Sequence, residues 1–202
     1  MSILQGMKKA AEKVTGIGRP ARADLSGMLR DRRPVAYLFA DDGKTPNNAK
    51  YPLLHYRDTV AFKAGLDPAA VFEELFAAHG WGRSWRNGIY DFLHFPTQSH
   101  EVLGIARGSA RVQFGGAKGR TLTVEAGDVI VLPAGTGHQR IRKSDDLLVV
   151  GAYPEDGKYD QPEPRDVDHA EALKRIGRVP VPDADPVYGT DGPLRALWKA
   201  QA

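Results

Sequence analysis

The chain has 202 residues, 42% hydrophobic and 26% charged, which suits one soluble domain long enough to bury a core of its own. It has no cysteine, which excludes disulfides, thiolate metal sites and cysteine nucleophiles, and no apolar run near the ~18 residues of a membrane-spanning helix. The formal net charge of +3 is uneven: residues 1–33 hold eight basic and three acidic side chains, the remainder 20 and 22.

The expected organisation is therefore a basic N-terminal arm over 1–33 and a nearly neutral single domain over 34–202. Within the arm, Ile3, Leu4, Met7, Ala11 and Val14 recur at helical spacing, and Gly16, Gly18 and Pro20 stop the pattern. A basic arm can touch nucleic acid or anionic lipid. No aromatic side chain stands among these basic residues to stack on bases, so a solvated tail is the preferred reading and nucleic acid is not an expected partner. No apolar secretory signal opens the sequence, and a cytoplasmic location is expected.

Val35 to Phe39 reads as a strand, Asp41 to Asn48 as a turn-rich loop, and Leu53 to Tyr56 as a second strand. The best helix follows, with Asp67 as N-cap, Pro68 in the first turn, Val71, Phe72, Leu75 and Phe76 on one face, and Gly80 as the stop. His79 falls in its last turn, where it suits the helix dipole. His55, between apolar neighbours, reads as a hydrogen-bonded structural residue.

Beyond Trp81 the character changes. Seven short apolar runs, each bounded by Gly, Pro or Asp, predict strands at Tyr90–Phe95, Glu101–Ala106, Ala110–Phe114, Thr121–Val124, Val129–Leu132, His138–Arg142 and Leu147–Tyr153. Such spacing belongs to an antiparallel sandwich or barrel, with its core over about 85–153. Gly115 to Gly119 lacks the spacing of a phosphate-binding loop and reads as a hairpin turn. No G-x-S-x-G elbow surrounds Ser84, Ser99 or Ser109, so a serine hydrolase is unsupported. Helices are expected at Asp168–Ile176 and Pro193–Lys199.

Histidine and carboxylate density peaks at the start of the strand region. His94, His100 and Glu101 fall within eight residues, and His138 ends the run Gly127-Asp-Val-Ile-Val-Leu-Pro133-Ala-Gly135-Thr-Gly-His138. These two segments resemble the paired motifs of the cupin superfamily. The first is H-x-H, three or four residues, E, six residues, G; the second is G, five residues, P-x-G, two residues, H. Glu101 to Gly108 keeps the six-residue gap, and Gly127, Pro133, Gly135 and His138 match the second motif. Further segments, Ser84 to Gly88, His100 to Gly104, Gly151 to Pro154 and Asp41 to Asn48, are similar to a single-domain branch, the YjlB-like cupins.

The resemblance implies an all-β fold, a double-stranded β-helix (jelly-roll barrel) with flanking N- and C-terminal helices. It also implies one divalent metal (Fe, Mn, Ni or Zn) and a homodimer. Inward side chains from separate strands of a small barrel converge, and imidazole with carboxylate suits these metals. Carried over by position, His94, Glu101 and His138 are the ligands. Pro96 stands where the family has its second His and offers no donor atom, and Arg142 stands where the second motif commonly ends in Asn.

His100 is the available substitute at Pro96's expense, yet strand alternation sends neighbours to opposite faces. Three sets stay open: His94, Glu101 and His138; the same with His100; or the three His with Glu101 outward. Arg86, Asn87, Tyr90 and Tyr153 are candidates for the pocket mouth, with core packing preferred for Tyr90. The implied function is a metal-dependent enzyme of isomerase, lyase or dioxygenase type acting on a small polar molecule. The alternative is a non-enzymatic small-molecule sensor with a degenerate metal site.

Overall fold

A computed structural model describes residues 18–155 and 160–199. The helical pattern expected between Ile3 and Val14 lies outside them.

Among the described residues nine antiparallel strands form two sheets. The strands are β1 (Val35–Tyr37), β2 (Leu53–Tyr56), β3 (Trp81–Asn87), β4 (Glu101–Arg107), β5 (Ser109–Phe114), β6 (Arg120–Glu125), β7 (Val129–Leu132), β8 (His138–Lys143) and β9 (Leu148–Pro154). The larger sheet takes the order β1-β2-β7-β4-β9-β3, and the smaller β6-β5-β8. The helices are α1 (Pro68–Ala78), α2 (His169–Ile176) and α3 (Leu194–Lys199). This is the jelly-roll barrel, with helices on its flanks. Among the described residues no helix is long and apolar enough to cross a membrane.

Sequence pattern explains which sheet is covered. β4 and β7 read as continuous apolar runs because both of their faces are buried. Leu103 and Ile105 point between the sheets, where they meet Val112 and Phe114. Val102 and Ala106 point outward into a second cluster with Phe72 and Phe76 of α1. The smaller sheet alternates instead: Ala110, Val112 and Phe114 are buried on β5, and its other face meets solvent.

Helix α1 begins where expected, with the Asp67 carboxylate accepting the Ala69 N–H at 3.1 Å. Its Phe72 ring lies so close to β4 that a Cβ at position 104 would sit 2.5 Å from it, so only glycine fits there. His79 caps the helix end and donates from Nδ1 to the Pro186 carbonyl at 3.0 Å. His55 Nε2 lies 2.8 Å from Asp128, a buried structural pair.

Two expectations are corrected. Tyr90–Phe95 is a loop, joined to β8 through the bridge between His94 and His138, the Arg140 N–H donating to the Tyr90 carbonyl at 2.8 Å and the Gln139 amide donating to the Asp91 carbonyl at 2.7 Å. Its Tyr90 lines a cavity mouth with Phe92 stacked on it, and Phe95 packs in a separate cluster with Ala134 and Ile176. Trp81–Asn87 is the strand the pattern missed; it is an edge strand with polar outward residues, a register shift after Gly82, and Arg83 at φ 51°. The described part of the expected arm packs against the domain. Leu25 and Met28 belong to the α1 core cluster, and Arg19 pairs with Glu74 at 2.9 Å.

Candidate metal centre

The strands bring three of the expected side chains to one end of the barrel interior. His94 and His138 exchange backbone hydrogen bonds, at 3.3 Å from the His94 N–H and 3.0 Å from the His138 N–H. That reciprocal bridge sets their rings 4.0 Å apart between centroids. Glu101 opens β4 on its inner face, with Leu103 and Ile105 following on the same side.

The loop carrying His138 is held from outside. Asn48 donates to the Ala134 carbonyl at 3.0 Å, and Asn47 Oδ1 accepts the Gly137 N–H at 3.2 Å. Gly135 has φ 91°, and a Cβ there would lie 2.4 Å from the Asn47 carbonyl. The turn-rich segment Asp41–Asn48 thus acts as a clasp on the second motif.

Each imidazole donates from Nδ1 to a carbonyl two residues back, His94 to Phe92 at 3.0 Å and His138 to Thr136 at 3.3 Å. A carbonyl only accepts, so both Nδ1 atoms carry the proton and both Nε2 atoms keep a lone pair. Burial lowers the pKa of each ring, and His138 falls well below the usual range with His94 beside it. The Glu101 carboxyl is pushed up to about 7 by burial, against the pull of its hydrogen bonds to Tyr153 and Gln161.

Those donors both reach one oxygen: Oε1 accepts from the Tyr153 hydroxyl at 3.0 Å and from Gln161 Nε2 at 3.2 Å. The other oxygen, Oε2, is buried without a hydrogen-bond partner and stands 3.7 Å from His138 Nε2. With His138 neutral this contact is no ion pair. An orphaned buried acceptor costs about 1–3 kcal/mol. A divalent cation would satisfy it, and two neutral imidazole nitrogens with one carboxylate oxygen is a donor set suited to Fe, Mn, Ni or Zn. Committing the far ring N–H to a carbonyl is also how metal-bound histidines are oriented.

The chemistry of the donors fits a metal, although the side chains stand wider than a loaded site. Among the described residues no group of three His, Asp or Glu side chains is already close enough together to hold an ion. Two ligands at ~2.1 Å from one ion are roughly 3.0–3.4 Å apart, so the 3.7 Å gap would have to narrow.

His100 is not part of this group. It points to the opposite face of the sheet, where Nδ1 accepts the Ala134 N–H at 3.0 Å and Nε2 donates to the Pro180 carbonyl at 3.1 Å. Trp198 lies 4.6 Å from its ring. Both nitrogens are occupied, and burial pushes its pKa down to about 3. The unfolded chain binds this proton below pH ~6.5, whereas the folded protein resists it until about pH 3. Stability therefore falls as pH drops through that window. In urea unfolding between pH 7 and 4.5, His100→Gln should lose less stability than the wild type. An equal loss in both would refute this.

A cavity of about 420 Å³ opens onto the three donors, walled by Trp85, Ile89, Leu103 and Tyr153. Tyr90 lines it at the mouth, 42% exposed and stacked on Phe92 at 4.8 Å, so core packing is corrected for this residue. Tyr153 accepts from Trp85 Nε1 at 2.7 Å while donating to Glu101. Asn87 lines the rim, its Oδ1 taking the Gly88 N–H. Arg86 borders the cavity, but its guanidinium turns to α1 and grips both oxygens of Glu73 at 2.8 and 2.9 Å.

Gln161 is the site residue that the sequence did not reveal. It arrives from a Pro- and Asp-rich tail without motif or periodicity, 60 residues beyond the glutamate it contacts.

No protein-family model matches the chain. Over 168 residues it is 35% identical to the uncharacterized protein YjlB of Bacillus subtilis (strain 168), covering 83% of this chain and 98% of YjlB. The chain belongs to the YjlB family. Solved structures resemble this YjlB-family protein in part. Acireductone dioxygenase from Bacillus anthracis, with cadmium in its active centre, is 17% identical over 44% of this chain and 62% of its own, at a TM-score of 0.32. A variant of Bacillus subtilis oxalate decarboxylase OxdC is 24% identical over 46% and 26%, at a TM-score of 0.32. The chain spans less than two thirds of either protein, and their activities do not transfer to this YjlB relative on that likeness.

Proposed function

We propose that this protein is a metal-dependent enzyme in which His94 Nε2, His138 Nε2 and Glu101 Oε2 hold one divalent ion at the base of the cavity. The observation that carries the reading is the buried, partnerless Oε2 beside the His138 Nε2 lone pair, with both Nδ1 protons already committed.

A bound Fe, Mn, Ni or Zn would supply Lewis acidity toward a substrate oxygen. The chain's own groups do the rest. Tyr153 and Gln161 fix the Glu101 carboxylate through Oε1, so that Oε2 faces the imidazoles. Trp85, Ile89 and Leu103 exclude water around the body of a small molecule, and Tyr90 shapes its way in. Isomerase, lyase and dioxygenase chemistry all fit this arrangement, and the metal's identity divides them.

The test is metal content by mass spectrometry on tag-free protein, before and after reloading. Near one equivalent supports the reading. A barrel that stays empty with every metal overturns it in favour of a sensor, a second reading that Pro96 supports by offering no donor. The same reading includes a homodimer, which a monomer mass in sedimentation across concentrations would exclude.

A further inference from the structure

The tail segment around Gln161 is pinned alongside the loop that contains Pro96. The Asp160 carboxylate accepts the Thr97 N–H at 2.8 Å and the Gln98 N–H at 3.0 Å through Oδ1, and the Thr97 hydroxyl through Oδ2. Two residues on, the Pro162 carbonyl accepts the Phe95 N–H at 3.2 Å. With Asp160 beside Thr97 and Pro162 beside Phe95, Gln161 stands abreast of Pro96. Its side chain enters the cavity that His94, Glu101 and His138 line, and its Nε2 donates to Glu101 Oε1.

We propose that Gln161 is the fourth side chain of the metal centre, supplying through its amide oxygen the donor that Pro96 cannot. The inference rests on the metal-centre reading. Three observations converge on it. Gln161 reaches the site from the side that Pro96 leaves without a side-chain donor. Its backbone is held by flanking hydrogen bonds on both sides, so the amide is delivered to one place. Its N–H end is committed to Glu101, which orients the oxygen end of the same planar group. A carboxamide oxygen is a neutral, hard donor of the kind that Mn and related divalent ions accept. The set would then be two imidazoles, one carboxylate and one amide.

The experiment is a Co²⁺ titration of the metal-free full-length protein, read by visible absorption, for the wild type, Gln161→Leu and Gln161→Glu. Leucine keeps the volume and removes both polar ends; glutamate keeps an oxygen donor. Gln161→Leu should weaken Co²⁺ binding more than about 100-fold, beyond the loss expected for an outer hydrogen-bond partner, and change the band intensities that report coordination number, and Gln161→Glu should restore binding. A residue that merely packs the tail would leave the Co²⁺ spectrum unmoved. If Gln161→Leu titrates like the wild type with the same spectrum, Gln161 is not a ligand and the three-residue centre stands without it. If the wild type binds no Co²⁺, the metal-centre reading falls and this inference with it. Urea midpoints of the metal-free variants separate a folding defect from a binding one, and Asp160→Asn, which loosens the pin from outside the cavity, should weaken Co²⁺ binding in the same direction.

Discussion

His138→Ala should leave a folded protein that no longer retains a divalent metal. The imidazole supplies one of three expected protein donors, and losing even an outer hydrogen-bond partner of a ligand costs about 10–100-fold in affinity. Loss of the ligand itself should therefore exceed about 100-fold. The fold should survive because the contacts of residue 138 that shape the barrel are made by its backbone. Those are the exchange with His94 and the pairing of β8 with Phe114 on β5. Mass spectrometry on dialysed protein should find the metal absent from His138→Ala, with an unchanged far-UV circular dichroism spectrum. A variant that folds and still holds a full equivalent would remove His138 from the site.

Trp198→Ala should be costly on the outer face of the large sheet. The indole is fully buried, stacks on Tyr51 at 5.1 Å, leans on His100 at 4.6 Å, and donates to the Pro52 carbonyl at 3.0 Å. Removing a buried tryptophan costs about 3–5 kcal/mol. The effect should extend further, because His100 in turn accepts the Ala134 N–H on the loop that leads to His138. The urea midpoint should fall sharply, and metal affinity should fall with it. A loss below about 1 kcal/mol would show that the indole is dispensable.

Much of this was readable from residue order. Leu53–Tyr56 and Val129–Leu132 are strands over the predicted spans because β-branched and apolar residues fill positions buried on both faces. Asp67-Pro68 and Asp168 announce their helices because capping is a local matter of one side chain and the next N–H. His94, Glu101 and His138 were named through the resemblance of their two segments to the cupin motifs, and the strands bring all three to one cavity. What stayed hidden depends on approach from afar. Tyr90 and Phe92 alternate like strand residues, and only the cavity distinguishes a lined mouth from a buried face. Arg86 looked available until Glu73 and Asp67 of the α1 region took its guanidinium. Strand alternation spoke against His100 beside Glu101 but left it among the open ligand sets, because its two partners come from Ala134 and the tail residue Pro180. Gln161 has no local signal at all, because its role is set by where Asp160 is fastened.

That fastening also sets an order in time. Gln161 follows Glu101 by 60 residues, so at ribosomal speeds of about 5–20 residues per second it is made roughly 3–12 seconds later. During that interval the strand bearing Glu101 exists without the tail that closes over it. His138 and Tyr153 are made within the same interval, ahead of Gln161, so the Glu101 carboxylate receives the last of its hydrogen-bond donors from the tail.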